Sequence, residues 1–126
     1  MSAEDAFVLL ISCYMHDAGM GVSEKDFYEF MEVIPHEETI PLNDKGAMIE
    51  FIRKYHYELS SAFVSKYGSF FELPDEDYIN AVACVSCGHR KTDLYSESDY
   101  SSDRFCLPYM AALIRLADEI DIAETL

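Results

Sequence analysis

The sequence has 126 residues, half of them hydrophobic, which is enough for one domain with one buried core. It carries 9 lysines and arginines against 24 aspartates and glutamates, a formal net charge of -15, which argues against a nucleic-acid duplex or an anionic membrane as the main partner. The N-terminus has no basic and apolar leader and no apolar run reaches about 18 residues, so we expect a cytoplasmic protein.

The first predicted helix ends in an adjacent histidine and aspartate, His16 and Asp17. Ser2 and Asp5 have the spacing of a capping box at its start. Its expected core face consists of Phe7, Leu10, Ile11 and Tyr14. An imidazole and a carboxylate side by side can ligate one divalent cation, and we expect the glycines that follow to let the backbone turn sharply away. Taken alone, such a pair is more often an ordinary helix end.

The next forty residues predict a short helix, a loop and a long helix. The stretch Gly21-Val22-Ser23-Glu24 could cap the short helix, which contains Phe27, Phe30 and Met31. Pro35 and Pro41 then bracket an acidic loop, in which we interpret His36 as a solvated histidine. Asn43 or Asp44 caps the long helix, with apolar residues at helical spacing at Met48, Phe51, Ile52, Tyr55, Leu59, Ala62 and Phe63.

His56 shares the apolar face of the long helix, because it follows Ile52 by four residues and precedes Leu59 by three. A histidine at such a position is usually a hydrogen-bonded core residue, but a metal ligand of a helical bundle projects from the same place. Arg53, one turn earlier, could bring a positive charge to the same rim.

A fourth helix follows the acids after Pro74 and runs through Val82 to Cys87, with Gly88 ending it before His89. The string Cys84-x-x-Cys87-Gly88-His89 does not fit a haem-attachment motif, and no second cysteine pair completes a zinc ribbon. We expect the cysteines to be reduced, mostly buried packing residues. His89 is the better candidate ligand. Residues 90–104 predict a flexible polar loop, either a connector or a lid.

Pro108 marks the first turn of the last helix. Its expected core stripe is Leu107, Met110, Leu113, Ile114, Ala117 and Ile120. Asp118 lies four residues after Ile114 and is therefore expected to point inward. A buried carboxylate is costly unless it is paired, so we expect a cation or Arg115 to satisfy it.

Taken in order, these motifs resemble the HD superfamily of metal-dependent phosphohydrolases. The motifs are His16-Asp17, Arg53-x-x-His56, Gly88-His89 and the segment from Leu113 to Ile122 with Asp118 in it. The greatest similarity is to the bacterial branch found fused to, or beside, heat-shock-type ATPase modules. The resemblance implies a single all-α domain over residues 1–126, a bundle of about five or more helices. Compared with the family, the chain is expected to be a fragment of a longer protein or else to have an incomplete first metal site.

The resemblance assigns His16, Asp17 and Asp118 to one divalent transition metal, and Asp17, His56 and His89 to a second. The ion would be manganese, iron, zinc or cobalt, and Asp17 would bridge the pair and help to activate water. Arg53 or Arg115 would steady a phosphate. The family's further upstream histidine is missing, because no histidine precedes His16.

Three functions follow from these patterns. The first is hydrolysis of a phosphate ester, for example a nucleotide or cyclic nucleotide. The second is a regulatory or interaction domain of the same fold with weak or no catalysis, which the missing histidine and the acidic surface favour. The third is a bundle with purely structural histidines.

Overall fold

A computed structural model describes residues 2–41, 43–88, 102 and 104–125. It contains the helices α1 (Ala3–Met15), α2 (Glu24–Val33), α3 (Lys45–Tyr67), α4 (Glu76–Gly88) and α5 (Leu107–Thr125). Short 3-10 helices follow α1 and α3 at Ala18–Gly21 and Gly68–Phe71. No strand occurs among these residues, and the predicted all-α fold is confirmed.

Side-chain caps begin the first three helices where the sequence predicts. Ser2 and Asp5 form the capping box of α1, with the Asp5 amide donating to Ser2 Oγ at 3.0 Å. Ser23 caps α2. Asp44, rather than Asn43, caps α3 by accepting from the Ala47 amide at 3.0 Å. Such caps satisfy amides that have no partner within the helix.

The helices enclose two hydrophobic regions, and α3 takes part in both, in the first of them through Val64. One region joins α1, α4 and α5, with Val8, Val82, Val85 and Met110 fully buried. The other joins α2 to α3 through Phe27, Phe51 and Leu59. The predicted apolar face of α3 is therefore confirmed. This helix bends at Tyr55, whose φ of -119° and ψ of 20° are not helical.

The predicted core face of α1 is wrong except at Ile11, which packs against the core. Phe7, Leu10 and Tyr14 are exposed, whereas Val8 and Ser12 are fully buried. The helix carries no charge between Ala6 and Met15, so its apolar residues surround it and their spacing does not identify the face that meets α4.

The predicted stripe of α5 is correct only in its first half. Leu107, Met110 and Ile114 are buried, but Ala117 and Ile120 are exposed. The turns after Ile114 extend past the core, so their apolar residues lack neighbours to pack against.

His36 is not the solvated loop histidine that we expected. Its side chain is 13% exposed, its Nε2 donates to the Met31 carbonyl at 2.8 Å, and its ring meets that of Phe51 edge-on. Nearby, hydrogen bonds from Lys54 and Tyr55 lower the pKa of Glu38 to about 2. The acidic loop is thus fastened to α3.

Arg104 joins the N-terminal ends of α1, α4 and α5. Its guanidinium contacts Glu4 at 3.0 Å and Asp75 at 2.9 Å and stacks on the Tyr78 ring. The hydrogen bond from Arg104 lowers the pKa of Glu4. Residues 90–101 and 103 of the predicted loop lie outside the described residues.

The cysteines are more accessible than expected. Cys13 and Cys106 are exposed, and Cys84 and Cys87 are half-buried. All four are free thiols, as expected.

Within the described part of the chain, no single helix is both long and apolar enough to cross a membrane. Only the segments Ala3–Gly21 and Glu24–Val33, bent by 105°, meet the length and composition criteria as a pair.

Candidate metal centre

The His-Asp pair lies in the turn that leaves α1. His16 is the C-cap of the helix, its amide donating to the Ser12 carbonyl at 2.9 Å. Its ring Nδ1 donates to the Cys13 carbonyl at 2.7 Å, since a carbonyl oxygen can only accept. Asp17 precedes the 3-10 helix Ala18–Gly21. The turn therefore fixes the imidazole and leaves its Nε2 directed away from α1.

Three segments that are distant in sequence meet at this turn. His16 Nε2 lies 3.4 Å from Asp17 Oδ2. From α3, His56 Nε2 lies 3.6 Å from Asp17 Oδ1. From α5, Asp118 Oδ1 lies 3.9 Å from His16 Nε2. The structure thus brings together four of the five predicted ligands.

The two histidines present the same nitrogen to the carboxylates. His56 Nδ1 donates to the Arg53 carbonyl at 3.2 Å, as His16 Nδ1 does to Cys13, so both Nδ1 atoms carry hydrogen. A ligating histidine is usually oriented in this way by its second nitrogen. In the neutral tautomer both Nε2 lone pairs face carboxylate oxygens, and such electron-rich atoms attract a cation between them.

Each of the three distances, taken alone, suits two ligands of one metal ion, but the described side chains do not form one complete ligand group. Ligands about 2.0–2.2 Å from one ion lie roughly 3–4 Å apart, and the three contacts fall within that range. Among the described residues, however, no three His, Cys, Asp or Glu side chains together form a metal-binding group. The donor set, two imidazoles and two carboxylates, fits a transition metal.

A cavity of about 230 Å³ is lined by three of the four candidate ligands, His16, Asp17 and Asp118. Asp17 is 61% exposed, whereas the His16 side chain is 17% exposed, so the cluster opens to solvent on the aspartate side. Burial raises the pKa of the Cys13 thiol, which is therefore neutral near pH 7. The lining residues are Cys13, His16, Asp17, Ile114, Ala117 and Asp118.

The HD-CE family model matches residues 1–125. The chain belongs to the HD-CE family. This is an HD-like family, so the coarser part of the resemblance, an HD-type domain, is confirmed. No curated protein and no solved structure matches the chain.

The HD-CE domain fastens its His-Asp turn to α3 through one buried hydroxyl. Ser60 Oγ accepts from the Gly19 amide at 2.7 Å and lies 2.8 Å from the carbonyl oxygens of both His16 and His56. Ser60 is fully buried. Its side chain therefore sets the distance between the two histidine-bearing segments.

Gly19 serves close packing, and the chain bends by 105° between Ala3–Gly21 and Glu24–Val33 without a glycine in the left-handed region. No described glycine has a positive φ. A Cβ at Gly19 would lie 2.1 Å from the His56 carbonyl oxygen and 2.7 Å from the Ser60 amide nitrogen. Only glycine lets the turn approach α3 this closely.

The two arginines predicted to contact a phosphate, Arg53 and Arg115, lie near glutamates on their own helices. Arg53 is 68% exposed and lies 3.4 Å from Glu50. Arg115 Nε lies 3.7 Å from Glu119. Their predicted role toward a phosphate stays a prediction.

His89, the fifth predicted ligand, lies outside the described residues. Two further residues of the site are not part of the predicted motifs: Ser60, and Tyr57, whose hydroxyl donates to Asp118 Oδ2 at 3.1 Å. Tyr57 directly follows His56, but sequence spacing gives no indication that its ring extends to α5.

Proposed function

We propose that this HD-CE domain binds a divalent transition metal and hydrolyses a phosphate ester, for example a nucleotide or cyclic nucleotide. His16, Asp17, His56 and Asp118 would hold one or two manganese, iron, zinc or cobalt ions, together with His89. The proposal rests chiefly on one observation. Four predicted ligands from α3, α5 and the turn after α1 converge, with contacts of 3.4, 3.6 and 3.9 Å.

The position of Asp17 supports a bridging role. Oδ2 faces His16 and Oδ1 faces His56, so each carboxylate oxygen is directed at a different histidine. A carboxylate shared in this way could hold two ions that would otherwise repel each other.

The charge of the chain makes a cation necessary for this reaction. With a formal net charge of -15, the domain repels a phosphate ester unless positive charge stands at the site. When bound, a divalent ion supplies that charge, polarises a phosphoryl oxygen and acidifies a water. The exposed side of Asp17 leaves room for the ester to approach, and Arg53 and Arg115 would have to leave their glutamates to contact it.

A regulatory or interaction domain with weak or no catalysis is the second candidate. It is favoured by the pairing of both arginines with glutamates and by the finding that no three ligating side chains of the described residues form one metal-binding group. Membership in the ATPase-associated branch stays a prediction.

Elemental analysis of protein purified without chelator tests metal binding. We expect one or two transition-metal ions per chain, and at least tenfold less in Asp17→Asn. The matched control is Asp77→Asn, because Asp77 is similarly exposed, at 72%, but lies at the far end of the bundle. No metal in the wild type, even after soaking with manganese, would overturn the proposal.

A second measurement separates the two candidates. Wild-type protein loaded with manganese is incubated with p-nitrophenyl phosphate, bis(p-nitrophenyl) phosphate and cyclic nucleotides. Manganese-dependent hydrolysis that Asp17→Asn abolishes would support the hydrolase. Metal binding without hydrolysis of any ester would favour the regulatory domain.

A further inference from the structure

A hydrogen bond connects α3 to the carboxylate that α5 contributes. The Tyr57 hydroxyl donates to Asp118 Oδ2 at 3.1 Å. The other oxygen, Oδ1, faces His16 Nε2 at 3.9 Å. The two oxygens therefore have different neighbours, and the phenol fixes which of them faces the histidine.

Tyr57 is itself held next to a candidate ligand. Its ring lies against that of His56, with centroids 3.8 Å apart, and His56 Nε2 faces Asp17 at 3.6 Å. His56 and Tyr57, which are adjacent on α3, thus contact Asp17 and Asp118, respectively. A shift of Tyr57 would change the orientation of Asp118 relative to His56.

A phenol suits this position because it is a neutral donor. A lysine or arginine would add a full positive charge beside Asp118 and would compete with a metal ion for the carboxylate. A hydroxyl restricts rotation of the carboxylate and leaves its negative charge in place. Ligating carboxylates are commonly oriented by outer partners of this kind.

We propose that Tyr57 is a positioning residue of the metal centre: its hydroxyl holds Oδ2 of Asp118 so that Oδ1 is presented to the ion. This inference rests on the proposed function, because it requires that the cluster binds a metal. It concerns a residue that the sequence motifs do not contain.

The test is a cobalt(II) titration followed by the visible d–d absorption, which reports the coordination of the ion. We expect Tyr57→Phe to weaken cobalt binding roughly 10–100-fold, the usual effect of removing an outer partner, and to change the band shape. The control is Tyr67→Phe. Tyr67 also donates to a carboxylate, Asp26 Oδ2 at 2.6 Å, but lies ten residues further along α3, and its removal should leave the affinity within about twofold.

A double-mutant cycle shows whether Tyr57 acts through Asp118. In an Asp118→Asn background, where the carboxylate is already lost, Tyr57→Phe should change the cobalt affinity by less than about twofold. Urea unfolding of each metal-free variant shows whether the fold is retained. A merely structural tyrosine would lower stability in both backgrounds without changing the absorption band.

The outcomes are distinguishable. If the wild type binds no cobalt, the metal proposal fails and this inference fails with it. If the wild type binds cobalt and Tyr57→Phe binds it equally well with the same band, only the role of Tyr57 is overturned. Weakening that persists unchanged in the Asp118→Asn background would also overturn it, because Tyr57 would then act elsewhere.

Discussion

Replacement of Gly19 by alanine should destabilise the domain more than any other glycine-to-alanine change near the candidate site. The new Cβ would lie 2.1 Å from the His56 carbonyl oxygen, 2.7 Å from the Ser60 amide nitrogen and 2.8 Å from the Leu59 Cβ. None of these atoms belongs to the far end of a flexible side chain. The carbonyl would have to recede by about 0.9 Å to reach the 3.0 Å below which Cβ contacts essentially never occur.

The expected cost follows from this geometry. Forcing an extra methyl group into a packed interior costs about 1–3 kcal/mol and occasionally more. Because backbone atoms oppose the Cβ at Gly19, we expect the upper end of that range. Separating the turn from α3 also weakens the bond from Gly19 to Ser60, a further loss of about 1 kcal/mol. The total is about 3–4 kcal/mol, or a melting temperature roughly 12 °C lower for a domain of this size.

Urea unfolding followed by far-UV circular dichroism measures the change. Gly21→Ala is the matched control, since nothing lies within 4 Å of a Cβ there and no described glycine has a positive φ. Gly21→Ala should be neutral or stabilising by up to about 1 kcal/mol. A loss below about 1 kcal/mol in Gly19→Ala, or equal losses in the two variants, would refute the close-approach argument.

Two further changes test the attachments to α3. Ser60→Ala removes the partner of the buried Gly19 amide and should lower the free energy of unfolding by about 1–3 kcal/mol. The control is Ser65→Ala at an exposed position, which should change that free energy by no more than about 0.5 kcal/mol. Equal urea midpoints for the two variants would contradict this expectation. Glu38, with its pKa lowered to about 2, contributes stability that is present above its ordinary pKa of 4.5 and is lost as pH falls toward 2. Glu38→Gln should therefore make the melting temperature fall less steeply between pH 5 and 3, whereas the control Glu37→Gln should not. Parallel pH profiles of Glu38→Gln and the wild type would show that the bond from Lys54 does not stabilise the fold.

Much of the helical framework could be predicted because its signals are local. Ser2, Ser23 and Asp44 satisfy amides within one turn of themselves, so the sequence alone locates the helix starts. The apolar spacing of α3 identifies its buried face because polar residues occupy the other face.

The same sequence could not identify the inner face of α1. Its run from Ala6 to Met15 is uncharged, and only packing against α4 decides that Val8 is buried and Tyr14 exposed. His36 was misjudged for a similar reason, because its partners Met31 and Phe51 lie on the helices that flank the loop.

The candidate site likewise has features that the sequence predicts and features that it does not. The residue types and the order of His16, Asp17, His56 and Asp118 are properties of the sequence, and they sufficed to nominate the ligands. Their approach to within 4 Å, the buried Ser60 hydroxyl and the bond from Tyr57 to Asp118 depend on how the helices pack. Contacts between residues 39 to 102 positions apart leave no periodic signal in the chain, so only the tertiary structure could decide them.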